Sequence, residues 1–327
     1  MPRMTTFPVI DVSRPEVAAP AIDEACRDTG FFYVVGHGVD EGLQRRLQSS
    51  AREFFALDPE EKAAIGMARG GRAWRGWFPV GGELTSGTPD DKEGIYFGTD
   101  LPADDARVVA GLPLQGANLF PTRPPALRAA VAEYMEALTG VGHQVVRGVA
   151  RALGLEEGWF AENMTGDPTV LFRIFHYPAA DAGANRWGVG EHTDYGLLTL
   201  LLQDSTGGLE VRTPGGWVAA PPIPGSFVCN LGDMLERITG GRYRSTPHRV
   251  RNTSGTGRLS FPFFFDPAWD AEVRPVPSAA AATAASSEAG PRWDDADPHA
   301  FVGTYGEYLL SKVAKVFPAE AARVLNG

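Results

Sequence analysis

The chain has 327 residues, 43% of them hydrophobic and 21% charged, the ordinary balance of a globular protein. Its formal net charge of -10 argues against nucleic acid or an anionic membrane surface as the main partner, since both demand a basic face. The length is enough to bury a sizeable core without staples. The only cysteines, Cys26 and Cys229, allow one disulfide at most, and buried thiols in a reducing compartment are the expectation.

The start, MPRMTTFPVIDV, lacks an apolar run of signal-peptide length. No stretch reaches the roughly 18 apolar residues of a membrane-spanning helix, so a cytoplasmic protein is expected. Residues 7–11 (FPVID) read as a short strand. Val17, Ala21, Ile22 and Ala25 recur at helical spacing over 15–29, and Gly30 ends that helix. The apolar run Phe31 to Val35 predicts a buried strand, and Leu43, Leu47, Ala51, Phe54 and Phe55 put one face on a helix over 40–56. Pro59 opens a further short helix. Residues 68–123 are rich in Gly, Pro and aromatics and read as long loops with short strands. The longest helical pattern covers 124–153, with Gly140 and Gly142 expected to interrupt it.

From residue 169 the texture changes to short strands at 169–177, 191–203, 208–212, 217–219, 226–231, 247–251 and 257–265, separated by turn formers. That is the pattern of a barrel or a double-sheet jelly roll. Residues 278–290 (SAAAATAASSEAG) are low complexity and suggest a surface insertion. A helix over 299–315 follows, and Pro318 separates it from a short terminal one. The organisation is a helical N-terminal region, 1–123, wrapped around a β core with C-terminal helices, 124–327, forming one compact unit.

Within this frame His192 and Asp194 stand two apart. In a single strand over 191–203, that spacing turns an imidazole and a carboxylate to the same side. Alone the pair is a weak signal, since a satisfied surface pair looks the same. His248 opens a later strand, with 53 residues (195–247) between it and Asp194. Two histidines and a carboxylate form a facial triad, which leaves about three positions open on an octahedral ferrous ion. Zinc accepts the same donors but keeps fewer open positions. Ten residues past His248, Arg258 and Ser260 share one face of the strand RLSFPFFF. A guanidinium fork and a hydroxyl make a carboxylate receptor, which would sit close to the metal if this strand pairs beside that of His248. An exposed Arg-Ser pair is the plainer alternative. It suits the strand poorly, because Phe261, Phe263, Phe264 and Phe265 make it too apolar for an unpaired arginine.

These residues resemble those of the isopenicillin N synthase-like group of iron(II)/2-oxoglutarate-dependent dioxygenases. FPVIDVS at 7–13, GFFYVVGHGV at 30–39, the KE of DDKEGIYFG at 90–98, RIFHYP at 173–178, GGLEVR with Trp217, NLGD at 230–233 and YGEYLLSKVAKVFP at 305–318 extend the resemblance over nearly the whole chain. It implies an α+β fold with a mainly β core, a double-stranded β-helix (jelly roll) flanked by helices. It implies His192, Asp194 and His248 as iron ligands, and Arg258 and Ser260 as partners of the distal carboxylate of 2-oxoglutarate. Tyr177 falls where relatives place a tyrosine that contacts the co-substrate. Many relatives carry an asparagine two residues before that tyrosine; here Phe175 stands there and implies a different pocket lining.

The reaction implied uses iron(II), 2-oxoglutarate and O2 to hydroxylate, desaturate or cyclise a small-molecule substrate, with release of succinate and CO2. Two other readings stay open. An oxidase of the isopenicillin N synthase type works without 2-oxoglutarate and uses a similar Arg-x-Ser pair on a substrate carboxylate. A zinc-bound, non-catalytic binding protein is the third. The substrate and the oligomeric state are not encoded in these motifs.

The other histidines, His37, His143, His176 and His299, read as structural. Arg75, Trp77 and Glu83 fall in the aromatic loop region, where loops cover barrel mouths; for Trp77 plain packing is an equal expectation. Phe264 shares the face of Arg258 and could line a pocket or pack in the core. Asp233 reads first as a helix cap.

Overall fold

The computed structural model describes residues 7–85, 87–179, 187–277 and 301–316. Chain order begins with β1 (Val9–Asp11), α1 (Pro15–Asp28), β2 (Phe31–Val35), α2 (Glu41–Phe55) and α3 (Pro59–Ala63). Four short strands follow, β3 (Gly76–Phe78), β4 (Leu84–Thr85), β5 (Thr88–Pro89) and β6 (Glu93–Gly98), then α4 (Ala106–Val109), α5 (Ala126–Ala152) and α6 (Trp159–Asn163). The β core is β7 (Thr169–Tyr177), β8 (Val189–His192), β9 (Leu198–Gln203), β10 (Leu209–Thr213), β11 (Gly216–Ala219), β12 (Phe227–Leu231), β13 (His248–Val250) and β14 (Arg258–Asp266). The helix α7 (Asp233–Ile238) leads into β13, and α8 (Tyr305–Val316) ends the described chain. The low-complexity segment 278–290 and the short helix expected after Pro318 lie outside the described residues.

Two sheets carry the architecture. The larger has eight strands in the order β1-β2-β12-β9-β14-β7-β6-β3; the smaller has four, β11-β10-β13-β8. Among the strands of the described residues, β1 and β2 are the one pair that runs parallel. The N-terminal region is therefore more than a helical wrap: β1 and β2 extend the large sheet at one end, and β6 and β3 at the other. Phe31 to Val34 supply the apolar backbone-pairing run that lets β2 dock on β12.

Alternation sorts the central strands into two faces. On β14, Phe261, Phe263 and Phe265 turn outward and are buried, while Arg258, Ser260, Pro262, Phe264 and Asp266 turn inward to the cavity between the sheets. On β7, Leu171, Arg173, Phe175 and Tyr177 face the same cavity, and Phe172 packs outward against Tyr134 of α5 at 5.1 Å. The outer face is covered by α5, with α1 and α2 packed on it.

The helix α5 runs unbroken for 27 residues, so neither Gly140 nor Gly142 interrupts it. Gly142 answers a packing demand instead: a Cβ there would lie 2.4 Å from the Phe265 ring. The helix gives up roughly 1 kcal/mol of propensity relative to alanine in exchange for that close approach. Cys26 and Cys229 are both buried free thiols, as expected. Among the described residues no helix is long and apolar enough to cross a membrane.

Candidate active site

The cavity between the two sheets measures about 550 Å³, within the range of small-molecule sites. His192 and His248 enter it from the small sheet, where they are Cα partners across the β8–β13 ladder. Their ring centroids are 4.2 Å apart. Nδ1 of His192 lies 2.8 Å from the Gly190 carbonyl, and Nδ1 of His248 lies 3.2 Å from that of Thr246. A carbonyl only accepts, so each Nδ1 donates and each Nε2 keeps its lone pair. Burial, with His192 beside it, pulls the His248 imidazolium down to about 4. At neutral pH His248 is therefore in its neutral, metal-competent form.

Asp194 does not sit on a strand. The expected single strand over 191–203 is two strands in two different sheets, and Asp194 occupies the turn that carries the chain from one to the other. The convergence of His192 and Asp194 thus comes from that crossover and not from alternation. The turn is pinned from outside: the amide of Asp233 donates to the Asp194 carbonyl at 2.7 Å, and that of Met234 to the Gly196 carbonyl at 3.1 Å. Gly196 is required here, because a Cβ would fall 1.5 Å from a carboxylate oxygen of Asp266. Oδ2 of Asp194 accepts from Thr199 Oγ1 at 2.5 Å and Asn230 Nδ2 at 2.7 Å. Oδ1 is left facing both imidazoles, 3.8 Å from each Nε2. Burial pushes Asp194 up, but the two imidazoles and these hydrogen bonds outweigh it and hold the carboxyl below its ordinary value. One donor atom from each of the three residues lies within 4.8 Å of the others. Neutral nitrogens and an anionic oxygen, each oriented by a further partner, suit a divalent cation.

Across the cavity, the large sheet carries the second group. Arg258 and Tyr177 are Cα partners on β14 and β7, and the guanidinium carbon lies 4.5 Å from the tyrosine ring centroid. The Tyr177 hydroxyl is 3.3 Å from Ser260 Oγ. Arg258 is fully buried, yet its Nε and Nη1 have no hydrogen-bond partner; Nη2 reaches Gln203 Oε1 at 3.5 Å. Its strand does not pair beside that of His248: β14 lies between β9 and β7, while β13 lies between β10 and β8. The two groups meet by facing each other across the sandwich. A buried guanidinium with two open donors fits a carboxylate ligand, which would remove the desolvation cost it now bears.

Of the other residues singled out, Glu83 and Phe264 line the cavity, as does Asp233. Asp233 is not the N-cap of α7: Gly232 holds that position, and Asp233 stands in the first turn of the helix and accepts from Ser245 Oγ at 2.8 Å. Arg75 lies away from this cavity, buried and bonded to the Leu114 carbonyl at 2.8 Å. Trp77 packs, donating its indole N–H to Glu93 at 2.9 Å. His37, His143 and His176 are structural: His37 bonds the Gly225 carbonyl, His143 packs on Phe265, and His176 meets Glu93 at 2.9 Å. His299 lies outside the described residues. Sequence reasoning missed Thr199, Asn230, Lys92, Tyr96 and Arg173. For Arg173 the signal was present, since it shares the alternation of Tyr177 in RIFHY.

Two families match this chain in sequence. The non-haem dioxygenase in morphine synthesis N-terminal family matches residues 7–123, and the 2OG-Fe(II) oxygenase superfamily matches residues 168–267. The 1-aminocyclopropane-1-carboxylate oxidase of Dictyostelium discoideum is 35% identical, covering 95% of each chain. The chain belongs to the 2OG-Fe(II) oxygenase superfamily. The homoarginine-6-hydroxylase of Arabidopsis thaliana is 38% identical, over 83% of this chain and 87% of that one. Among solved structures, the dioxygenase for auxin oxidation of rice superposes with a TM-score of 0.70 at 27% identity, over 96% and 98% of the two chains. The oxygenase thus has the jelly-roll core of its superfamily. It is an Fe(II)/2-oxoglutarate-dependent oxidoreductase, with iron(II) as metal and 2-oxoglutarate as co-substrate.

Proposed function

We propose that His192, Asp194 and His248 hold the iron(II), that Arg258, Ser260 and Tyr177 receive the distal carboxylate of 2-oxoglutarate, and that the enzyme oxidises a C–H bond of a small molecule by hydroxylation, desaturation or ring closure. The observation that carries this reading is Arg258. It is a fully buried cation with two open donors, facing the same cavity as the three converging metal-ligand atoms. Once bound, iron(II) and 2-oxoglutarate supply dioxygen activation, with release of succinate and CO2.

The chain's own work is placement. Gly190 and Thr246 fix the imidazole tautomers, Thr199 and Asn230 turn one Asp194 oxygen toward the metal, and the strand pair β7–β14 sets the co-substrate's far end. The buried walls exclude water from the reacting centre. Two relatives are named for amino acids, homoarginine and 1-aminocyclopropane-1-carboxylate, and amino acids are the first substrates to screen.

The test is anaerobic titration of the iron(II) protein with 2-oxoglutarate, followed by admission of dioxygen. A metal-to-ligand absorption band and succinate release are expected, both removed by chelation and restored by iron(II). Asp194→Ala should lower succinate release by more than about 100-fold, beyond the loss typical of an outer partner of a ligand. Normal turnover in that variant would sink the assignment.

A further inference from the structure

The cavity holds more charge than metal and co-substrate binding use. Glu83, Lys92 and Arg173 line it, and Asp90, buried, pairs with Lys92. The hairpin of β4 and β5 brings in Glu83, β6 brings Tyr96, and the β6–β7 register sets Tyr96 beside Arg173 as Cα partners. Lys92 pairs with Asp90 and lies 2.8 Å from Glu83 Oε2, so two carboxylates share one ammonium. Burial works against the Lys92 charge, but Glu83 and Asp90 outweigh it and raise its pKa. Glu83 Oε1 accepts from the Tyr96 hydroxyl. Its Oε2 is buried and faces the Lys92 ammonium at 2.8 Å. This half of the cluster therefore sets two carboxylates against one ammonium, a net negative charge.

The other half is cationic. The Arg173 guanidinium lies 3.4 Å above the Tyr96 ring. Its Nη1 reaches the carbonyls of Phe97 and Phe172 only at 3.4 Å, the Tyr96 hydroxyl is a further hydrogen-bond partner, and among the described residues it forms no ion pair with a carboxylate. Arg173 stands four residues from Tyr177 on the same face of β7, about 13 Å along an extended strand. It is too far along to share the carboxylate received by Arg258.

We infer that this cluster receives the head group of an α-amino acid substrate: Arg173 takes the carboxylate, Glu83 takes the ammonium, and Lys92 with Asp90 holds Glu83 in place. The inference rests on the oxygenase reading above and names the substrate class of that site. Tyr96 touches both groups, its hydroxyl donating to Glu83 and its ring lying under the Arg173 guanidinium, so the carboxylate and the guanidinium flank one side chain, which suits a ligand that carries both charges close together. Other classes leave one group uncompensated. A dianion faces Glu83, a diamine faces Arg173, and a neutral apolar molecule desolvates both without return.

The experiment is calorimetric titration of the full chain loaded with manganese(II) and 2-oxoglutarate, which binds without turnover. The probes are the twenty common L-amino acids, ornithine and longer basic homologues. For each binder, the amine lacking the carboxylate and the acid lacking the amino group are compared with it. At least one amino acid should bind, and each truncated analogue should bind about 10- to 100-fold more weakly. Arg173→Gln should erase the penalty for the missing carboxylate and leave that for the missing amine; Glu83→Gln should do the reverse. Arg173→Lys should retain part of the carboxylate preference, and all three variants should take up 2-oxoglutarate like the wild type.

Three results would overturn the inference: no amino acid binding to protein that binds 2-oxoglutarate normally, equal affinity for the truncated analogues, or loss of 2-oxoglutarate uptake in the Arg173 variants, which marks a structural role. Failure of the wild type to take up metal or 2-oxoglutarate would count against the oxygenase site instead.

Discussion

Glu93 and Arg258 are both charged, both buried and both set on the strands around β7, yet their surroundings are opposite. Glu93 points to the outer face of the sheet. Its carboxylate accepts from Lys62 Nζ at 2.8 Å, Trp77 Nε1 at 2.9 Å and His176 Nδ1 at 2.9 Å. Burial pushes its pKa up, but those three donors outweigh it and hold the carboxyl below its ordinary value. Arg258 points into the cavity with two of its nitrogens unpartnered. The same principle of paying for burial gives both outcomes. A charge completed by the protein holds the fold together, and a charge the protein leaves incomplete waits for a ligand. Neighbouring residues of one strand, His176 and Tyr177, belong to the two sides of this divide.

The contrast breaks most sharply at Glu93. Glu93→Ala leaves Lys62 buried without its counter-ion and the Trp77 N–H without an acceptor. A stability loss of about 3–5 kcal/mol in urea unfolding is expected, with 2-oxoglutarate affinity of the folded protein unchanged. A loss below about 1 kcal/mol would contradict the structural role. Arg258→Gln should behave inversely. Calorimetry should show 2-oxoglutarate binding about 10- to 100-fold more weakly, while the unfolding free energy stays level or rises, because an unpaired buried cation has been removed. A variant that unfolds readily but binds the co-substrate normally would erase the distinction.

The two sides were not equally legible in sequence. The strand texture from residue 169 could be read from alternation and turn formers, because those signals are local, whereas His192, Asp194 and His248 stood out by residue type and spacing. The sheet to which each strand belongs is not local. Asp194 looked like the second ligand of one strand because HTDYG reads as continuous, yet it sits in the crossover between sheets. Arg258 was expected beside His248 and lies opposite it. Of the Glu83–Lys92–Tyr96–Arg173 cluster only Glu83 stood out in sequence, for the same reason: residues 83–96 show weak periodicity, and the β6–β7 pairing that sets Tyr96 beside Arg173 is not local. Likewise Gly142 looked like a helix breaker until Phe265 appeared against it.

Asp266 tests the contrast at its weakest point, since it faces the cavity and is also tied into the fold. Its Oδ1 accepts from the Leu197 amide at 2.9 Å and its Oδ2 from the Tyr305 hydroxyl at 2.6 Å. Burial nevertheless wins and pushes its pKa up to about 7. A carboxyl whose folded pKa lies above its unfolded value binds its proton more tightly when folded. Its contribution to stability is therefore fully present below about pH 4 and is lost as the pH rises through about 7. Between pH 5 and pH 8 the wild type should lose stability that Asp266→Asn, with nothing to ionise, does not lose. Thermal unfolding of the two proteins across that range should show the difference moving in favour of the variant as the pH rises. Parallel curves would mean that the hydrogen bonds from Leu197 and Tyr305 complete this carboxylate as fully as Lys62, Trp77 and His176 complete Glu93.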